Sequence, residues 1–149
     1  MTIRLTPAHL DMATAALRAV LPLQHPADSL LRHFFQDNRK LGVSDRAFIP
    51  ETVFGILRHR FFLERVVEIA TPRSLLLAYL AKFSGMNLRE LAPLVSETEA
   101  KRLAEMKAVS LESQPLGVQA EFPGWLLEKL REFMDDGAIL DLGRSLQAP

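Results

Sequence analysis

The chain has 149 residues, 48% hydrophobic and 24% charged, proportions that suit one domain of a globular protein. Lysine plus arginine and aspartate plus glutamate both number 18, so the formal net charge is zero and indicates neither a nucleic-acid nor a membrane partner. There is no cysteine, which excludes disulfides, thiolate metal sites and cysteine nucleophiles.

The first residues do not resemble a targeting signal, because Arg4, Asp11 and Arg18 interrupt any apolar run. An apolar run such as residues 75–81 is far shorter than the ~20 residues that span a bilayer. We therefore expect a soluble, cytoplasmic protein.

The hydrophobic pattern is helical almost throughout, with apolar residues three and four positions apart. A threonine followed by proline predicts two helix starts, at Thr6 for the first helix and at Thr71 for a central helix that ends near Phe83. Between them, a second helix is predicted from Pro26 to a glycine C-cap at Gly42.

A long third helix is predicted from an N-cap at Ser44 to about Ala70. Pro50 would kink this helix. Gly55 costs about 1 kcal/mol in a helix, which predicts that another helix packs closely against it.

The rest of the chain predicts shorter elements. Asn87 would cap a helix over 88–95, and Ser96 with Glu99 forms a capping box for a helix that ends near Val109. Residues 110–122 are predicted to form a loop. Two further helices are predicted over 123–137 and 138–146, and Trp125 is expected to anchor the first of them in the core.

The predicted fold class is all-α, a bundle of six or seven helices over residues 1–109. Residues 110–149 form the irregular loop and a C-terminal helical extension.

Catalytic motifs are not evident in the sequence. No glycine-rich phosphate loop or serine elbow occurs, and the histidines do not have the four-residue spacing of a helical zinc motif. These histidines are His9, His25, His33 and His59. We therefore predict no metal site and no hydrolase activity.

The charges are unevenly distributed along the chain. Seven basic and four acidic residues lie between Arg32 and Arg65, a balance of +3, whereas nine basic and eleven acidic residues follow from Thr71 onward, a balance of −2. A basic helical region predicts contacts with RNA phosphates. The candidate residues are Arg39, Lys40, Arg46, Arg58 and Arg60.

The same charges also fit a solvated helix surface with pairs such as Arg60–Glu64, so the residues alone leave both interpretations open. Arg46 and Arg58 have a structural alternative as well, because either could pair internally. Arg39, Lys40 and Arg60 are therefore the first choice for RNA contact.

Several short motifs resemble a known family. Residues 27–31, 41–48 and 53–59 (Ala-Asp-Ser-Leu-Leu, Leu-Gly-Val-Ser-Asp-Arg-Ala-Phe and Val-Phe-Gly-Ile-Leu-Arg-His) resemble the NusB-like N-terminal domain of bacterial Sun/Fmu-type ribosomal RNA cytosine-5 methyltransferases. Residues 122–130 look like the Pro-x-Trp-Leu helix that joins this domain to the catalytic region, and 146–149 resemble the start of the segment that follows.

The resemblance implies a NusB-like bundle that recognises and positions RNA for an S-adenosylmethionine-dependent 16S rRNA cytosine-5 methyltransferase. That family's chemistry uses a Rossmann-like domain and a cysteine nucleophile, and a thiolate attack requires a thiol that this chain lacks. We therefore expect catalysis and S-adenosylmethionine binding in a catalytic domain outside these residues. The expected partners are ribosomal RNA and that domain.

The alternative function is a protein-interaction module, similar to an antitermination factor. The helix with Trp125 and the acidic C-terminal part of the chain would then carry the interface.

Overall fold

In the computed structural model, which describes residues 4–148, the chain is all α-helical. Ten α-helices and one 3-10 turn, Ala92–Leu94, lie within the described residues, and no strand does. The helices are α1 Pro7–Val20, α2 Ala27–Asp37, α3 Val43–Arg58, α4 Arg60–Val66, α5 Pro72–Phe83, α6 Leu88–Leu91, α7 Glu97–Ala108, α8 Leu116–Ala120, α9 Gly124–Arg131 and α10 Asp136–Gln147. The predicted fold class is confirmed, whereas the NusB-like topology stays a prediction.

Four helices begin with a reciprocal capping box, and all four starts were predictable from the sequence. The N-cap side chain accepts a hydrogen bond from the N3 backbone N–H, and the N3 side chain accepts one from the N-cap N–H. The N-cap residues are Thr6, Thr71, Asn87 and Ser96.

Helix α5 lies at the centre of the main core, and α1, α3, α4 and α7 pack against it. Six of its twelve residues are buried, as expected for an apolar central helix. These are Leu75, Leu76, Leu77, Ala78, Leu80 and Ala81. The main core draws its buried residues from α1 to α7, between Leu10 and Met106.

Gly55 is buried at the crossing of α3 and α5. A Cβ atom at this position would lie 2.6 Å from Cε1 and Cζ of Tyr79, so glycine allows the two helices to approach closely. The close packing predicted for Gly55 is therefore confirmed.

A second apolar cluster joins α8, α9 and α10, and we call it the C-terminal cluster. Its buried residues are Ala120, Phe122 and Ile139. Gly143 brings α10 against α8, because a Cβ atom there would lie 2.6 Å from the Cα of Ala120. The predicted boundary after residue 109 lies between the last buried residue of the main core and the first buried residue of this cluster. Residues 1–3 and 149 of the two predicted regions lie outside the described range.

The end of α2 and the start of α3 differ from the prediction. Helix α2 ends at Asp37 and not near Gly42, because the Asn38 side chain takes the place of a further turn and donates to the Phe34 carbonyl at 2.8 Å. Helix α3 begins one residue before the predicted cap, with Gly42 in extended conformation as its N-cap and Ser44 inside the first turn.

The predicted long third helix is two helices. Helix α3 continues through Pro50, and the interruption comes at His59, whose φ of −116° and ψ of 22° leave the helical region. The sequence did not predict this interruption, and the kink at Pro50 stays a prediction. The first N–H groups of α4, which a continuous helix would satisfy internally, need another acceptor.

Other helix boundaries also differ from the prediction. The helix predicted over 88–95 ends at Leu91, and Pro93 lies in the 3-10 turn that follows. The predicted loop contains α8. Asp135 is the N-cap of α10 and accepts from Ala138 N–H at 2.8 Å, so α10 starts before Gly137. Among the described residues, no helix has the length and apolar character needed to cross a membrane.

Candidate nucleic-acid interface

The loop between α2 and α3 is a tight turn with defined hydrogen bonds. Asn38 closes the end of α2, and the Leu41 N–H donates to the Asn38 carbonyl at 3.2 Å. Arg39 and Lys40 occupy the centre of this turn, and both side chains are exposed. The loop therefore presents two adjacent cationic side chains to solvent.

Arg46, in the first turns of α3, is bonded to the backbone of this loop. Its Nε donates to the Leu41 carbonyl at 3.0 Å, and its Nη2 donates to the Arg39 carbonyl at 3.2 Å. The guanidinium carbon also lies 5.2 Å from the centre of the Phe35 ring, within cation–π range. Two N–H donors of the Arg46 guanidinium are therefore bonded to backbone carbonyls of the loop. These bonds can form only when the loop is ordered.

An open groove of about 500 Å³ runs beside the loop. Met12 and residues 36–41 line this groove. Arg32 and His33, on the preceding turns of α2, are exposed as well. At this end of the bundle the basic side chains of Arg32, Arg39 and Lys40 are therefore exposed to solvent. None of them forms an ion pair with a carboxylate of residues 4–148.

The two other candidates lie at the opposite end of α3. The helix has 16 residues, which corresponds to a length of about 24 Å. Arg60 is paired with Glu64, with 2.8 Å between Nε and Oε1. Arg58 is half-buried, and its Nε has no acceptor among the described residues.

The structure therefore brings Arg39, Lys40 and Arg46 together and separates them from Arg58 and Arg60. The pair Arg60–Glu64, which the sequence offered as the alternative to RNA contact, is present. The internal role that the sequence offered for Arg46 is present too, through backbone carbonyls rather than through a carboxylate.

The interruption at His59 forms a second polar site, which sequence reasoning missed. The carboxylate of Glu121 accepts from the Phe61 N–H at 2.7 Å and from the Phe62 N–H at 2.9 Å. It thus caps the N-terminus of α4 from 60 residues away in sequence. Burial raises the pKa of Glu121 to about 7, against the lowering effect of these two hydrogen bonds, and nearby Glu64 adds to the rise.

His59 lies beside this cap with its ring stacked on Phe83, at 4.0 Å between ring centres and 13° between planes. Burial lowers the pKa of His59, and the neighbouring Arg58 lowers it further, whereas a hydrogen bond with Gln147 raises it. His59 is therefore a neutral packing residue near pH 7 rather than a cation for phosphate.

Trp125 does not anchor the core. Its side chain is 69% exposed, and Phe122 and Ile139 fill the C-terminal cluster in its place. The prediction of a core anchor was wrong because Trp125 lies off the apolar side of α9, which Leu126, Leu127 and Leu130 form and which packs against the cluster.

Within residues 4–148, no three histidine, aspartate or glutamate side chains converge as metal ligands would. In comparisons with known proteins, no protein family, no curated protein and no solved structure matches this chain. The similarity to NusB-like domains therefore depends on the short sequence motifs alone.

Proposed function

We propose that this chain is an RNA-binding module that positions ribosomal RNA for an S-adenosylmethionine-dependent cytosine-5 methyltransferase. The sequence motifs support the connection to the methyltransferase, and no residue of this chain is assigned to the methyl transfer. The catalytic domain and S-adenosylmethionine belong to the part of such an enzyme that these residues do not include.

The observation that best supports RNA binding is the ordered basic loop between α2 and α3. Arg39 and Lys40 project from a turn whose carbonyls are held by Arg46. Phosphate contacts of this kind set the orientation of the nucleic acid and carry little sequence information. Because the loop is already ordered, binding does not require the entropic cost of ordering its backbone.

The end of α3 with Arg58 and Arg60 is a secondary contact in this proposal. An RNA that reaches both basic groups must extend over about 24 Å along α3. Arg60 would have to exchange its contact with Glu64 for a phosphate, so we expect it to contribute less than Arg39 and Lys40.

The proposal can be tested by binding to helical fragments of 16S rRNA over a series of salt concentrations. The logarithm of the binding constant should fall linearly with the logarithm of the salt concentration. The double variant Arg39→Ala/Lys40→Ala should reduce the slope of this line by about 2 and weaken binding at low salt. The matched control is Lys101→Ala/Arg102→Ala, an exposed adjacent pair on α7, which should leave the slope unchanged.

Absence of binding at low salt would refute RNA recognition by this chain. Equal effects of the two double variants would show non-specific attraction to positive charge and would refute the assignment to the loop.

The alternative, a protein-interaction module, gains support from the exposure of Trp125. The two functions use different surfaces, because Trp125 belongs to α9 and the basic loop joins α2 to α3.

A further inference from the structure

The groove beside the basic loop has a mixed lining. Met12 of α1 and Leu41 are half-buried and supply apolar surface. Residues 36–40, all polar or charged, complete the lining. Apolar surface, hydrogen-bonding groups and cations therefore meet in one open groove of about 500 Å³.

Two hydrogen-bond acceptors at this groove are not engaged. Asn38 Nδ2 donates to the Phe34 carbonyl at 2.8 Å, and because a carbonyl only accepts, this contact identifies which end of the amide is the oxygen. Neither Asn38 Oδ1 nor the exposed carboxylate of Asp37 forms a hydrogen bond or an ion pair within residues 4–148. A ligand with hydrogen-bond donors would therefore find two neighbouring acceptors.

The charge at this groove is positive. Over residues 32–46 four basic residues face two acidic ones, a balance of +2, and none of these six forms an ion pair in the described part of the chain. The Cα of Lys40 lies no more than about 7 Å from that of Asn38, because only two residues separate them. The ligand that fits carries an anionic group close to its hydrogen-bond donors.

A nucleotide combines these properties. Its phosphate pairs with lysine and arginine, the amino group of its base donates to carboxylate or amide oxygens, and the face of the base contacts methionine sulfur. A base inside an RNA duplex does not offer them, because its edge is paired and the deep major groove excludes side chains. The side chains of an acidic peptide carry the charge but no donor, and Asp37 repels them. An unpaired nucleotide is therefore the better match.

The groove is formed before any ligand binds. Arg46 donates to the Arg39 and Leu41 carbonyls, and the Leu41 N–H donates to the Asn38 carbonyl at 3.2 Å. Helices α1 and α2, which both contribute lining residues, pack against each other. Binding in such a site does not require the entropic cost of ordering it.

We propose that this groove binds an unpaired nucleotide of RNA. The base lies against Met12, and its amino group donates to Asp37 and to Asn38 Oδ1. The adjoining phosphate pairs with Arg39 and Lys40. The inference rests on the proposed RNA binding and adds the class of RNA, a stem interrupted by an unpaired base rather than a continuous duplex. Because both acceptors require a donor, cytosine is preferred to uracil, which carries a carbonyl in place of the amino group.

The test compares three RNA hairpins with the same stem, one fully paired, one with a single bulged cytidine and one with a single bulged uridine. The bulged cytidine should increase affinity about tenfold over the paired stem, because a thioether contact and a hydrogen bond to a charged group add to the phosphate contacts. The bulged uridine should bind about fivefold more weakly than the bulged cytidine. The slope against salt concentration should be the same for all three hairpins, because base contacts release no counterions.

Asp37→Ala separates recognition of the base from the effect of charge. Loss of this carboxylate makes the chain more positive and should strengthen binding of all three hairpins, whereas loss of the acceptor should lower the preference for cytidine over uridine at least twofold. The fold is expected to be retained because Asp37 is exposed at the end of α2. The matched control is Asp141→Ala, at an exposed position of α10, which changes the net charge equally and should leave the preference unchanged.

Salt-dependent binding with equal affinity for the three hairpins would overturn this inference and leave the proposed RNA binding intact, whereas no binding to any RNA would overturn both. A preference for cytidine that Asp37→Ala does not change would place the base outside the groove and overturn the assignment. Displacement of the bulged hairpin by an equal concentration of a glutamate-rich peptide would identify an acidic protein segment as the ligand and contradict the proposal.

Discussion

The main core and the C-terminal cluster are stabilised in different ways. The main core buries large apolar side chains from seven helices around α5, so much of its stability comes from the hydrophobic effect and packing. The C-terminal cluster has three buried residues and depends on specific contacts, such as the Glu121 cap and the contact between Gly143 and Ala120. A small apolar cluster can thus be held in one position when a few polar and steric contacts define where it sits.

The largest expected effect is on stability, when a buried side chain is shortened to alanine in one region or the other. Leu76→Ala, at a fully buried position of α5, should lower the free energy of unfolding by about 2–5 kcal/mol in urea denaturation. Ile139→Ala, equally buried in the C-terminal cluster, should instead increase hydrogen exchange in α8–α10 and leave the main transition nearly unchanged. Equal shifts of the main transition would show that the two regions unfold as one unit.

A smaller effect tests the packing of α10 on α8. Gly143→Ala places a methyl group against the Ala120 backbone, which a side-chain rotation cannot relieve, and should destabilise the C-terminal cluster by about 1–3 kcal/mol. The control is Gly137→Ala in the same helix, where the nearest atom, an Asp135 oxygen, is 3.5 Å away. That change should stabilise α10 by up to about 1 kcal/mol. Thermal unfolding and hydrogen exchange of the two variants should move in opposite directions.

The smallest expected effect concerns pH and the Glu121 cap. Because the folded pKa of Glu121 is about 7 and the unfolded value is near 4.5, the folded state retains a proton that the unfolded state has released between these pH values. The contribution of Glu121 to stability should therefore fall as pH rises from about 4.5 to about 7, and then level off.

His59 acts in the opposite direction, since its lowered pKa makes stability rise with pH up to the unfolded histidine value of 6.5. The measurement is therefore the difference in unfolding free energy between the wild-type protein and Glu121→Gln, taken at several pH values. Glutamine does not titrate, so the wild-type protein should lose stability relative to this variant as pH rises. A constant difference would contradict the raised pKa of Glu121.

The sequence predicts those features that depend on neighbouring residues. Thr6, Thr71, Asn87 and Ser96 begin helices because their side chains bond to backbone three residues ahead, which is visible in the local pattern. The crossing at Gly55 was also predictable, since a glycine inside an apolar helix is costly without a reason.

Features that depend on distant contacts were not predictable. The apolar pattern continues through His59, and the break is stabilised by Glu121, which is 60 residues beyond Phe61 in the sequence. Arg46 could be interpreted as a phosphate contact or as an internal partner, and only the position of the Arg39 and Leu41 carbonyls distinguishes the two.

The Glu121 cap has a consequence for dividing the protein into fragments. A fragment that ends after residue 109 would retain all the buried residues of the main core, from Leu10 to Met106. It would nevertheless expose the first N–H groups of α4 to water, because the acceptor for Phe61 and Phe62 is encoded beyond its end. Expression of the bundle without its last helices therefore yields a complete core with an unprotected helix end, and adding α8 and Glu121 to the fragment is the shortest extension that supplies the missing acceptor.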